Sequence, residues 1–217
     1  MRNHDRLGES RWISVTAMGE ATVAPDMAVV TFAVTANGPE LAVLRSDVNT
    51  RSSAVLASVR SMGVAETDID APDISIQPQY DYRRGQRLTG YRVARDVTVR
   101  VRNLDDLGTV LDGVVQAGAN EVQGAQMAAS DPSGAEHAAL TAAVGAARAK
   151  AEALARSAGV TLGAVARIEE EGGWDGPPQP MFRALAAAES ADAPTEVVRR
   201  DLTVKRQVRA WFLIEDA

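Results

Sequence analysis

Few residues in this chain can do acid-base, nucleophilic or metal chemistry, and their spacing assigns them no reaction. The 217 residues include no cysteine, which removes disulfides, thiolate nucleophiles and cysteine-ligated metals together. His4 and His137 are the only imidazoles. His137 would act as a base only where an acid and a nucleophile converge on it, and it reads instead as one polar position on an alanine-rich helix. Asp68, Asp70 and Asp73 crowd a short link. They lack the glycine and the terminal bidentate acid of an EF-hand, so a solvated turn is expected. Glu169, Glu170 and Glu171 form a like-charge run of the kind that marks a hydrated strand end. A hydrolase working through carboxylates alone needs a convergent acid pair, and nothing in the spacing indicates one. The nucleotide-binding G-x-x-x-x-G-K-[S/T] and G-x-G-x-x-G patterns, H-E-x-x-H and G-x-S-x-G are all absent. The expectation is a protein with no catalytic residue, no metal and no cofactor.

The cations are better organised. Arg92, Arg95, Arg100 and Arg102 fall in one long strand pattern, and Lys205, Arg206 and Arg209 in another. Were those strands to pair, these seven cations would line a basic strip able to attract phosphate or a partner's acids, with Arg95, Arg100, Arg206 and Arg209 as its candidate site residues. The alternative is cross-strand pairing with acids such as Asp96 or a helix glutamate. Tyr80, Tyr82 and Tyr91 lie near Arg83, Arg84 and Arg87, a mixture that can stack on nucleic acid or form a protein-contacting hairpin tip. Aromatics are only 4% of the chain, which favours the protein contact. With 23 basic against 29 acidic residues the net charge is −6, so no bulk excess of base exists to bind nucleic acid or an anionic membrane.

The elements that must position these residues are legible from period and punctuation. Apolar alternation predicts strands over 12–18, 27–36, 73–80, 89–102, 121–129, 165–170 and 202–214. Pro39 and Glu40 open a helix whose stripe is Leu41, Leu44, Val48, Val55, Val59 and Met62. Leu107, Val110, Leu111, Val114 and Val115 mark a second helix over 104–117. Asp131 and Pro132 open a third, rich in alanine, that stops at Gly159 and packs closely either on a sheet or on a symmetry mate. The expected order is β-β-α-β-β-α-β-α-β-β, an α+β protein with helices on one face of largely antiparallel sheet. Residues 12–217 are expected to form one domain after a disordered tail at 1–11, with a mobile loop at about 171–198. The polar start shows no secretory pattern, and no apolar run reaches the length of a membrane span, so a cytoplasmic protein is expected. One echo stands out: Tyr91-x-Val93-x-Arg95-x-Val97-x-Val99 matches Leu202-x-Val204-x-Arg206-x-Val208-x-Ala210.

Read in order, several short groups resemble the SIMPL domain family, a domain of unknown function. They are Val15-x-Ala17-x-Gly19, Ala24-Pro25-Asp26, Gln77-Pro78-Gln79-Tyr80, Gly90-Tyr91 and Ala117-Gly118-Ala119-Asn120. Ala149-Lys150-Ala151, Leu154-Ala155, Gly159, Leu162-Gly163-x-Val165 and Ile168 follow. The chain departs from the pattern at Ala17, where glycine is common, and at Arg199-Arg200-Asp201, where Pro-Gly is usual. The resemblance implies an α+β fold, no established enzymatic activity and no cofactor. It also implies stress-linked, exported bacterial relatives, some of which build ring-like homo-oligomers, and mammalian relatives acting as adaptors in kinase signalling. The functional expectation is a non-enzymatic, self-associating interaction protein that engages itself or another protein. The alternative is a small anionic-ligand module built on Arg95, Arg100, Arg206 and Arg209, with Tyr80 and Tyr82 nearby.

Overall fold

In the structure, a computed structural model, residues 11–82, 85–171 and 200–216 are described. All of the expected tail but Arg11, nearly all of the expected 171–198 loop, and Arg83 and Arg84 lie outside them. The elements are β1 (Trp12–Val23), β2 (Met27–Gly38), α1 (Leu41–Ser61), β3 (Ile69–Asp70), β4 (Ser75–Asp81) and β5 (Arg87–Val101), followed by α2 (Leu107–Gln116), β6 (Glu121–Ala128), α3 (Ser133–Ala158), β7 (Val160–Glu170) and β8 (Leu202–Asp216). This is the expected order with one added two-residue strand, β3. Every strand pair is antiparallel, and the protein is α+β. The chain forms two compact units.

One unit holds β2 to β6 with α1 and α2. Its sheet runs β3-β5-β2-β6, with β4 also on β5. Alternation sends Val30, Phe32 and Val34 of β2 and Val93, Val97, Val99 and Val101 of β5 to the same face, where all are buried. The α1 stripe brings Leu44, Val48, Val55 and Val59 into this core, and α2 adds Leu107, Val110 and Val114. Each such side chain removed from water contributes roughly 1.5–3 kcal/mol before conformational entropy is subtracted.

The other unit holds β1, α3, β7 and β8. Its three strands run β1-β8-β7. The start of α3 is fixed by Asp131, whose Oδ1 accepts from the Ser133 amide at 3.0 Å. Its end is fixed by Gly159 at φ 69, the left-handed cap that glycine adopts without a Cβ penalty. Ala139, Ala143, Ala147, Ala151 and Ala155, spaced by four, are all 2% exposed or less. Ala143, Ala147 and Ala151 pack on Val15, Val208, Ala210 and Phe212, so this helix is seated on its own sheet and needs no symmetry mate to bury the stripe. The sheet comes so close that a Cβ on Gly19 would lie 2.1 Å from the Ala139 carbonyl oxygen.

Candidate functional site

The six residues expected to form an anion or interaction site do not converge. Strands β5 and β8 do not pair; each lies inside its own sheet, flanked by antiparallel partners, so no strip is assembled across them. That corrects the expectation, and the reason is general: alternation specifies which face a residue takes and leaves the partner strand open. Arg100 is exposed on the face of its sheet away from the core. Arg206 pairs with Glu136 at 2.5 Å and approaches Glu170 at 3.7 Å. Arg209 pairs with Glu171 on the opposite face of that sheet. Tyr80 and Tyr82 do meet, with ring centroids 6.3 Å apart and planes tilted by 48°, at the end of β4. Most of the other strand cations are paired as well: Arg92 with Glu121 and Lys205 with Glu20, both at 2.6 Å, and Arg102 with Asp68.

Arg95 is the expected residue that lines a cleft. It shares a cavity of about 260 Å³ with Arg45, Asn49, Asp73, Ile74 and Ile76. Strand β5 places Arg95 opposite Val34, on the helix-covered face. Its Nε and Nη2 donate to the carbonyls of Pro72 and Ala71 at 3.1 and 3.2 Å, which fixes the guanidinium. Arg45 and Asn49 are four apart on α1, beside the buried Leu44 and Val48, and so present side chains to one spot. The sequence reading passed over Arg45 and Asn49. The signal was an arginine breaking an otherwise apolar strand face, together with a polar pair flanking the helix stripe.

Several of the acids that could transfer a proton are held by arginines. Asp68 is buried and takes both Nε and Nη2 of Arg102, at 2.6 and 2.7 Å, which holds its carboxyl below the usual range. The bond from Arg92 does the same for Glu121, helped by the Thr35 hydroxyl at 3.1 Å, and that from Arg60 for Glu66. Among the described residues no three His, Asp or Glu side chains are grouped to hold a metal ion. The His137 carbonyl accepts from Thr141 along the helix; Asp131 is held below the usual carboxylate range chiefly by the Ser133 hydroxyl and amide, with a smaller contribution from His137.

The Ala117-Gly118-Ala119-Asn120 group does structural work. Asn120 Oδ1 accepts from the Thr35 amide at 2.8 Å and its Nδ2 donates to the Thr35 carbonyl at 3.0 Å, extending the β2–β6 ladder with a side chain. Arg51 closes the corner by donating to the carbonyls of Thr35 at 2.8 Å and Gly118 at 3.4 Å.

A second surface lies on the three-stranded sheet, away from α3. Trp12 and Met18 are 42% and 51% exposed there, and Leu213 and Trp211 are half-buried beside Trp12 and Ser14. Arg167 stacks over Trp211 at 5.1 Å. The edges of both sheets resist strand addition. Lys150 donates to the Thr16 carbonyl of β1 at 3.0 Å, β4 carries Pro78, β6 is bulged opposite Thr31/Phe32 and β7 is bulged twice.

Comparison with known proteins agrees with this architecture of structural motifs. The model of the SIMPL family, described as a protein of unknown function (DUF541), matches residues 13–212. An uncharacterized protein YggE of Edwardsiella ictaluri is 35% identical over 82% of this chain and 76% of its own length. The 26 kDa periplasmic immunogenic protein of Brucella melitensis is 34% identical over 81% and 74%. The YggE protein of Escherichia coli K12 is 30% identical over 80% and 71%. By the extent of the match and the motifs that carry it, the chain belongs to the SIMPL family.

Proposed function

We propose that this chain is a non-enzymatic interaction protein that docks a second copy of itself through the open face of its three-stranded sheet. The observation that carries the reading is the exposure of Trp12 and Met18 beside Trp211 and Leu213 on a face no helix of that unit covers. Large aromatic residues with a polar surround are the usual anchors of a protein contact. The blunted edges direct association to a face and away from strand addition. The acids locked to arginines support a structural role for the charged residues, since a carboxyl held ionised by a guanidinium is a poor proton donor at neutral pH.

Light scattering on size-exclusion fractions at tens of micromolar, an order typical of modest self-affinity, is expected to find an oligomer, and Trp12→Arg is expected to dissociate it while circular dichroism stays unchanged. A monomeric parent protein, or an oligomer indifferent to Trp12→Arg, overturns the reading. No described helix is long and apolar enough to cross a membrane.

A further inference from the structure

We infer that the cleft between α1 and the β4–β5 pair binds a free α-amino acid with an apolar side chain. The inference uses residues separate from the docking face, so either reading can fail alone. Each of the two 15-residue strands carries one arginine on its helix-covered face, Arg95 in β5 and Arg206 in β8. Arg206 is satisfied within the chain: Glu136 of α3 meets it at 2.5 Å and its side chain is 12% exposed. Arg95 meets two carbonyls, and no described carboxylate pairs with it. Where α3 offers a glutamate, α1 offers Arg45, a second cation with no partner among the described residues, and Asn49 one turn on. Two guanidiniums lining one cleft with an amide beside them are complementary to a carboxylate, which takes paired N–H donors.

The rest of the lining narrows the ligand further. Asp73 faces the same cleft and pairs with neither arginine, so it is open to an ammonium. Ile74 and Ile76 give an apolar wall, and Ile76 is 41% exposed. Carboxylate, ammonium and apolar side chain are the parts of one small zwitterion. About 260 Å³ suits a molecule of that size; larger ligands occupy pockets of roughly 300–1,000 Å³. Because the lining is largely open to water, each ionic contact is weak, and affinity is expected in the millimolar range, about −4 kcal/mol at 1 mM.

The test titrates the ¹⁵N-labelled full chain with L-leucine and follows backbone amide shifts. Saturable shifts confined to residues 45–49, 73–76 and 95 are expected. 4-Methylpentanoate, which lacks the ammonium, and 3-methylbutylamine, which lacks the carboxylate, are expected to bind at least about tenfold more weakly. Arg45→Gln is expected to weaken leucine by about tenfold with an unchanged melting temperature, since Arg45 is exposed and unpaired among the described residues. No saturable shift up to about 50 mM leucine, equal binding of either analogue, or undiminished binding to Arg45→Gln overturns the assignment.

Discussion

Replacing Gly19 with alanine tests the seat of α3 on its sheet. The added Cβ would lie 2.1 Å from the Ala139 carbonyl oxygen and 2.3 Å from the Ala143 amide nitrogen, whereas ordinary contact begins at 3.4 Å. Both obstacles are backbone atoms of a helix and cannot swing aside. Strand and helix must therefore separate by about 1.3 Å. A gap of that order forfeits a large share of the dispersion contacts along the Ala139–Ala155 stripe. Overpacking alone costs about 1–3 kcal/mol, so a loss of about 3 kcal/mol or more is expected. That is a substantial part of a stability of roughly 5–15 kcal/mol. Urea unfolding followed by far-ultraviolet circular dichroism should show a midpoint lower by about 1 M or more. Gly145→Ala is the internal control: it lies in the same helix with nothing within 4 Å of its added Cβ, and a gain of up to about 1 kcal/mol is expected from helix propensity. If Gly19→Ala stays within about 0.5 kcal/mol of the parent, the described seat of α3 is wrong.

Four further outcomes are expected. Because Arg102 holds the Asp68 carboxyl below its usual range, the stability it contributes is complete above the ordinary carboxylate pKa and is lost as pH falls through the depressed one. The melting temperature should fall below about pH 4, and Asp68→Asn should melt lower at neutral pH with a flatter acid limb; parallel limbs would contradict the assignment. Asn120→Ala leaves the buried Thr35 amide without its acceptor and should cost about 1–3 kcal/mol in urea unfolding, with no loss refuting the bridging role. Ser52→Ala removes a buried hydroxyl that has no hydrogen-bond partner among the described residues and should be neutral or stabilising by up to about 1 kcal/mol; clear destabilisation would argue for an unseen partner. Lys150→Ala uncovers the Thr16 carbonyl on the β1 edge and should raise aggregation on heating, measured by turbidity, and an unchanged onset would show that the lysine guards nothing.

Elements with a long, regular apolar period were legible in the sequence, and irregular ones were not. The α1 stripe and the capped α3 follow from spacing and punctuation, as do the long alternations of β5 and β8. Strand β1 was expected to stop at Gly19, yet it runs on to Val23, because that glycine serves a close helix approach and not a turn. Strand β7 was expected to begin at Val165 and begins at Val160. Its two bulges put Leu162, Val165 and Ile168 opposite Ile214, Phe212 and Ala210, a three-residue spacing that hides the period of two. Two-residue β3 is too short to carry a period. Of the expected site residues, Arg95 lay in a cleft because its position broke the strand face. Arg100, Arg206 and Arg209 went elsewhere because alternation cannot say that β5 and β8 belong to different sheets.

The pairing of β1 with β8 sets an order on biosynthesis. Met27 to Ala128 supplies all five strands of the larger sheet from one contiguous stretch, so that unit can assemble while the ribosome is still at work. Strand β1 is made before the rest of its sheet but finds its hydrogen-bonding partner only in β8, beginning at Leu202. At about 5–20 residues per second, it waits on the order of ten seconds or more before that clasp can close. During that interval its apolar face has no mate, and nascent-chain chaperones would meet this segment before the rest of its sheet exists.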